Sequence, residues 1–173
     1  IIYRNYSKEN YLSRALKINE FSKKQGHSLF VSNDLSLATK INANLYIPNF
    51  NKRLRYLNHN CQKKMCVIGS AHNHLEIKRK KNQGCTQIFI SSLYSTSSHL
   101  KKKPMGLAKF SSLRQYFKSK LNICALGGIN EKNINKVWSL NLYGFALKSY
   151  LDRKPTQKSL SFLNLIARSN VIS

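Results

Sequence analysis

The chain is 173 residues long, 42% apolar, and carries 30 Lys and Arg against 6 Asp and Glu, a formal net charge of +24. That length and apolar content suit one globular domain spanning residues 1–173. No run of about 18 or more apolar residues is present, which excludes a hydrophobic membrane helix. There is also no charged-then-apolar leader with a small-residue cleavage site.

In chain order, the first apolar run occupies residues 1–4, and the chain opens within it on Ile1. Such a start is expected of a segment cut from something longer, or of an N-terminal truncation. Tyr11, Leu12, Ala15, Leu16 and residues 19–21 then place apolar groups near helical spacing, and Gly26 is a plausible stop. Short apolar runs follow at 28–32, 44–47, 66–69, 87–91, 122–126 and 142–147. Most are continuous rather than alternating, as expected for strands buried on both faces of a parallel sheet.

Between them, the Asp34/Ser36 region is placed to cap a helix over 37–42, and Gly84 ends a helix over 75–83. Asn130 is placed to cap a helix over 131–140, and a last helix is expected over 158–167. The connection from Leu93 to Phe110 is long and rich in Ser, Thr, Lys, Pro and Gly, the composition of a functional loop. Strand–helix alternation argues for an α/β fold with a parallel sheet, either closed or open. Neither G-x-G-x-x-G nor a Walker-A loop is present, which weighs against nucleotide-binding open sheets.

The basic excess invites a nucleic-acid reading, but no RNP-like, zinc-finger or helix-turn-helix pattern accompanies it. The clusters at 63–64, 78–81 and 101–103 fall in separate segments. The charge is therefore expected on solvated helix faces, with no specific nucleic-acid partner, and it would attract phosphorylated small molecules. Cys61, Cys66, Cys85 and Cys124 form no C-x-x-C pair and lack zinc-site spacing, so they are read as reduced thiols of a cytoplasmic protein.

The best local signal for chemistry is Ala125-Leu126-Gly127-Gly128-Ile129-Asn130, which follows an apolar strand. Two glycines let backbone approach a ligand closely, and free N–H groups there favour an anion. A tight turn explains a strand-ending Gly-Gly equally well. Gly144 to Ser149 in the next unit offers a second half, and the loops after the last two strands of (β/α)₈ barrels commonly form a phosphate site.

These segments resemble the thiamine phosphate synthase/TenI family. Gly69-Ser70-Ala71-His72-Asn73 with Glu76 is similar to its G-x-S-x-H…E segment. Residues Ser91 to His99, then Gly106-Leu107, are similar to its S/G-P-v-F-x-T-x-S/T-K/H…LG loop. Ala125 to Asn130 reproduces A-L-G-G-I-N, and Gly144 to Ser149 resembles G-x-A-x-x-S. Arg4 fits the Arg of Q-x-R-x-K, and Asn33-Asp34 fits a later N-D.

The resemblance implies a TIM (β/α)₈-type barrel, apparently lacking its first strand in this chain. It implies thiamine biosynthesis: joining hydroxymethylpyrimidine diphosphate to thiazole phosphate with release of pyrophosphate. Thr96, Ser98, His99, Gly127, Gly128 and Ser149 would hold the substrate phosphate. Arg4 and His72 would lie at the reacting centre, and Asp34 would bind Mg²⁺.

The departures from the pattern concern the metal–pyrophosphate end. Ile2 and Tyr6 stand for Gln and Lys of Q-x-R-x-K, Ser36 falls near the Asp of N-D-x-x-D, and Asn51 near the Asp of G-Q-x-D. Neutral Ser and Asn are poorer Mg²⁺ partners than carboxylates. The alternative is therefore a TenI-like thiazole phosphate isomerase or binder, in which His72 would shuttle a proton. His72 equally fits a structural hydrogen bond. A third reading is a basic nucleic-acid-binding or scaffold protein that retains the barrel. Self-association is left open, no membrane partner is expected, and His27, His59 and His74 read as surface residues. Glu76 reads as a helix cap or ion-pair partner, and Trp138 as a packing residue.

Overall fold

The structure, a computed structural model, describes residues 1–4, 10–54, 57, 63–96 and 103–147. Its strands are β1 (Ile2–Tyr3), β2 (Phe30–Ser32), β3 (Asn44–Ile47), β4 (Val67–Ala71), β5 (Gln87–Ile90), β6 (Asn122–Leu126) and β7 (Gly144–Ala146). Its helices are α1 (Tyr11–Lys24), α2 (Leu35–Lys40), α3 (His74–Asn82), α4 (Leu107–Phe117) and α5 (Ile134–Trp138).

All seven strands join one sheet in sequence order, and every pairing is parallel. Sequential order with helical crossovers is the wall of a TIM-type barrel, here a curled part of one. The period-two alternation of the strands separates two cores. Val31, Leu45, Ile47, Val67, Ala71, Ile88, Ile90, Ile123 and Ala125 face the helices in the larger cluster. Tyr46, Ile68, Phe89 and Cys124, with Ile2, Phe30, Leu126 and Ala146 packed on them, form the smaller cluster on the opposite face.

Every expected strand is present within a few residues. Three helical expectations need correction. On α1 the buried face is Ala15, Asn19 and Ser22, while Leu12, Leu16 and Phe21 are exposed. The helix is rotated because Asn19 Nδ2 donates to Ile41 O at 2.7 Å, giving a buried amide a partner. The long connection ends earlier than Phe110, because α4 starts at Leu107 behind Gly106. The last described helix is only Ile134–Trp138. Asn130 shapes the preceding turn, its Oδ1 accepting from Lys132 N at 2.9 Å. The helix expected over 158–167 lies outside the described residues.

Candidate active site

Parallel strands bring their carboxyl ends to one rim, where the connecting loops carry the candidate residues. Residues Ser98, His99 and Ser149 of the expected phosphate set lie outside the described residues, as does Tyr6.

After β5 and β6 two loops pack on each other. Leu93 N donates to Leu126 O at 3.0 Å, and Tyr94 N to Gly127 O at 3.1 Å. Gly127 and Gly128 take φ of 100° and 69°, in the region that favours glycine. A Cβ on Gly128 would stand 2.4 Å from Ser95 O, and one on Gly127 would stand 2.9 Å from Ser92 Cβ. The pair is thus required by loop packing. Among the described residues neither the Gly128 nor the Ile129 N–H has an acceptor. Among the described residues the buried hydroxyls of Thr96 and Tyr94 have no hydrogen-bond partner, and burial raises the pKa of the Tyr94 phenol above its ordinary value. Unpartnered buried hydroxyls are costly unless a ligand satisfies them. Nothing in the sequence around Tyr94, which lies between Leu93 and Ser95, marks its hydroxyl.

After β4, His72 is half-buried, and its backbone N–H donates to Glu76 Oε2 at 2.8 Å. Asn73 caps α3, its Oδ1 accepting from Glu76 N at 2.9 Å, which completes a reciprocal capping arrangement. Glu76 is therefore a helix-end residue, as expected. The His72 Nδ1–H donates to Ser91 O at 2.6 Å, with Ser91 Oγ 3.1 Å away. A carbonyl only accepts, so Nδ1 carries a proton, and the tautomer this contact selects has its lone pair on Nε2. His74 is not simply a surface residue: its ring packs 4.8 Å from Tyr116 and 5.0 Å from Phe117.

After β1, the Arg4 guanidinium donates to Tyr46 OH and lies 4.8 Å above the Tyr46 ring. After β2, Asp34 caps α2, its Oδ1 accepting from Leu37 N at 2.9 Å. After β3, Asn51 is buried. Its Nδ2 donates to Asn33 Oδ1 at 2.7 Å, and its Oδ1 accepts from Arg53 N at 3.0 Å. Ser36 is exposed, and among the described residues no group of three or more His, Cys, Asp and Glu could hold a metal. Asp34 is the one carboxylate of this set, its Oδ1 spent on a helix end, and both ends of the Asn51 amide are engaged, so these residues fit a divalent ion poorly, which takes about six or more oxygen ligands.

Burial pushes the Cys85 and Cys124 thiols up to about 12, so neither is a thiolate nucleophile. The expectation that basic clusters lie on solvated faces fails at Lys80, which is fully buried. Its spacing of three from both Ile77 and Gln83, also buried, is the signal that places it inward. Among the described residues no helix is long and apolar enough to cross a membrane.

The thiamine monophosphate synthase family model matches residues 1–151. The thiamine-phosphate synthase of Lactococcus lactis subsp. cremoris is 25% identical over 152 residues, covering 87% of this chain and 69% of that protein. The thiamine-phosphate synthase of Prochlorococcus marinus subsp. pastoris is 25% identical over 169 residues, covering 94% of this chain but 46% of that longer protein. Among solved structures, thiamine phosphate pyrophosphorylase from Pyrococcus furiosus superposes with a TM-score of 0.67 at 15% identity, over 84% of this chain and 69% of that one. The corresponding protein of Bacteroides thetaiotaomicron gives 0.57 at 17% identity, over 90% and 73%. These likenesses support the barrel-type fold, and the family match over most of the chain, with the ordered rim motifs, assigns its lineage: the chain belongs to the thiamine monophosphate synthase family of thiamine biosynthesis.

Proposed function

We propose that this chain binds a thiazole phosphate at the β5–β6 rim and joins it to hydroxymethylpyrimidine diphosphate, releasing pyrophosphate. The observation that carries the reading is the pairing, on two interlocked loops, of Gly128 and Ile129 N–H groups and a Thr96 hydroxyl that have no partner among the described residues. Together they offer a phosphate several neutral donors, with Ser98, His99 and Ser149 as further expected contacts. In the reaction the pyrimidine methylene loses its C–O bond to pyrophosphate and gains a C–N bond to the thiazole. Charge develops on the leaving group, so donors aimed at it lower the barrier. Arg4 is the described cation suited to that role, held over Tyr46. No step is assigned to a metal, because the residues after β2 and β3 fit one poorly.

A second reading, a TenI-like isomerase or binder of thiazole phosphate, is favoured by the engagement of Asp34 and Asn51. In it His72, with its Nδ1 proton fixed on Ser91 O, would accept a proton at Nε2. Chromatographic detection of thiamine phosphate from the two substrates, with and without Mg²⁺, separates the readings. Product formation supports the synthase. Folded protein that binds thiazole phosphate and yields no product is TenI-like.

Within the same proposal, the seven strands are seven of the eight of a closed barrel, forming one domain. The free thiols of Cys66, Cys85 and Cys124 are in keeping with a cytoplasmic setting.

A further inference from the structure

Lys80 lies on α3, in the layer outside the sheet, with 0% of its surface exposed. Its stem crosses β4 at Gly69, where a Cβ would stand 3.0 Å from Lys80 Cδ and 2.9 Å from Cys85 Sγ. Glycine there opens the passage that lets the side chain reach the loop after β3. The ammonium donates to Pro48 O at 2.6 Å, to Asn51 O at 3.0 Å and to Gln83 Oε1 at 2.9 Å. Three donors meet three neutral oxygens, which fills the capacity of the group.

Gln83 continues the network, its Nε2 donating to Arg53 O at 2.8 Å and to Asn51 O at 3.1 Å. Asn49 N donates to Ser70 Oγ at 3.1 Å, and Asn51 N to Pro48 O at 3.1 Å. Residues 48–53 are thus tied down along their length, and the Asn51 side chain is turned onto Asn33, beside Asp34. A buried cation without a carboxylate partner is costly, and a hydrophobic side chain of similar volume would avoid that cost. What the ammonium supplies that such a side chain cannot is the geometry of this loop.

We propose that Lys80 is a positioning residue, fixing residues 48–53 and, through Asn51, the β2–β3 part of the rim, so that a cation built into the protein sets this region in place of a bound metal ion. Calling this region the pyrophosphate end rests on the functional reading above; the role of Lys80 in the loop does not.

The test compares wild type with Lys80→Met, which keeps the stem and removes all three donors. Amide exchange by NMR reads the loop, and calorimetry reads inorganic pyrophosphate and thiazole phosphate, each with and without Mg²⁺. In Lys80→Met, exchange at Asn49, Asn51 and Arg53 is expected to quicken and pyrophosphate affinity to fall by about tenfold. Thiazole phosphate affinity is expected to change less than about twofold, and Mg²⁺ to alter wild-type pyrophosphate binding by less than about twofold. Unchanged loop exchange, or equal loss of both ligands, overturns the proposal; so does a tenfold or greater Mg²⁺ enhancement in wild type. If Lys80→Met does not fold, Gln83→Leu decides, since it frees Arg53 O and one Lys80 donor and must give the same split on a smaller scale. Wild type that binds neither ligand sinks the functional reading, and the exchange measurement then still judges Lys80.

Discussion

After β5 and β6 the rim presents groups with no partner among the described residues: the Gly128 and Ile129 N–H groups and the Thr96 and Tyr94 hydroxyls. After β2 and β3 the polar groups are already engaged with one another, Asp34 with a helix end, Asn51 with Asn33 and Arg53, Lys80 with two carbonyls and Gln83. Polar groups left unsatisfied carry a free-energy cost that a ligand relieves, whereas mutually satisfied groups contribute rigidity. Among the described residues the first region keeps donors and hydroxyls unengaged, as the proposed phosphate site needs, and the second holds its polar groups in a closed network.

The sharpest way to break this contrast is Gly128→Ala. Its Cβ meets Ser95 O, and its φ of 69° is strained for alanine. A loss of about 3 kcal/mol in denaturant unfolding is expected, together with loss of thiazole phosphate binding. Next comes Thr96→Val, which preserves shape and removes a hydroxyl without a partner. Stability should hold within about 1 kcal/mol or rise, while thiazole phosphate affinity falls by about tenfold. Lower stability with unchanged affinity would make the hydroxyl structural.

A titration sharpens the other side. Burial lowers the Lys80 ammonium from an ordinary 10.5 to about 8. Its ionisable neighbours are Cys85, which stays a thiol, with Arg79 and Glu76. Between pH 8 and 10.5 the unfolded chain then holds a proton that the folded chain lacks, so stability rises with pH across that window. The wild type should gain on Lys80→Met across this window in unfolding midpoints, while its pyrophosphate affinity declines as the amine loses a donor. The smallest effect belongs to Asp34→Asn. Asparagine caps a helix as well as aspartate, so stability should stay within about 0.5 kcal/mol and any response to Mg²⁺ should be unaltered. Loss of a Mg²⁺ response in this variant would restore Asp34 as a ligand.

The strands were legible because segments such as Val67–Ala71 and Asn122–Leu126 are short, apolar and bounded by turn residues. The glycine pair after β6 was legible too, although its contact with Ser95 and Tyr94 depends on a loop more than thirty residues earlier in the chain. Helix α4 was hidden because Gly106 caps it without a side chain and its start is continuous in composition with the preceding loop. The inward face of α1 misled because Asn19 and Ser22 are polar yet buried, their partners being Ile41 O and Ile18 O. Lys80 sits in a run of basic residues; its spacing from Ile77 and Gln83 marks the inward face, but the passage over Gly69 that admits its stem is set by a distant strand. Such placements arise from contacts between distant segments, which local pattern does not encode.

The central claim is that the β5–β6 rim receives a phosphate without help from a metal. Calorimetry of thiazole phosphate in the presence of a chelator, on wild type and Thr96→Val, tests it directly. Saturable binding to wild type is expected, unchanged by the chelator and weakened by about tenfold in the valine variant. Binding that vanishes with the chelator, or that the valine variant leaves intact, would contradict it.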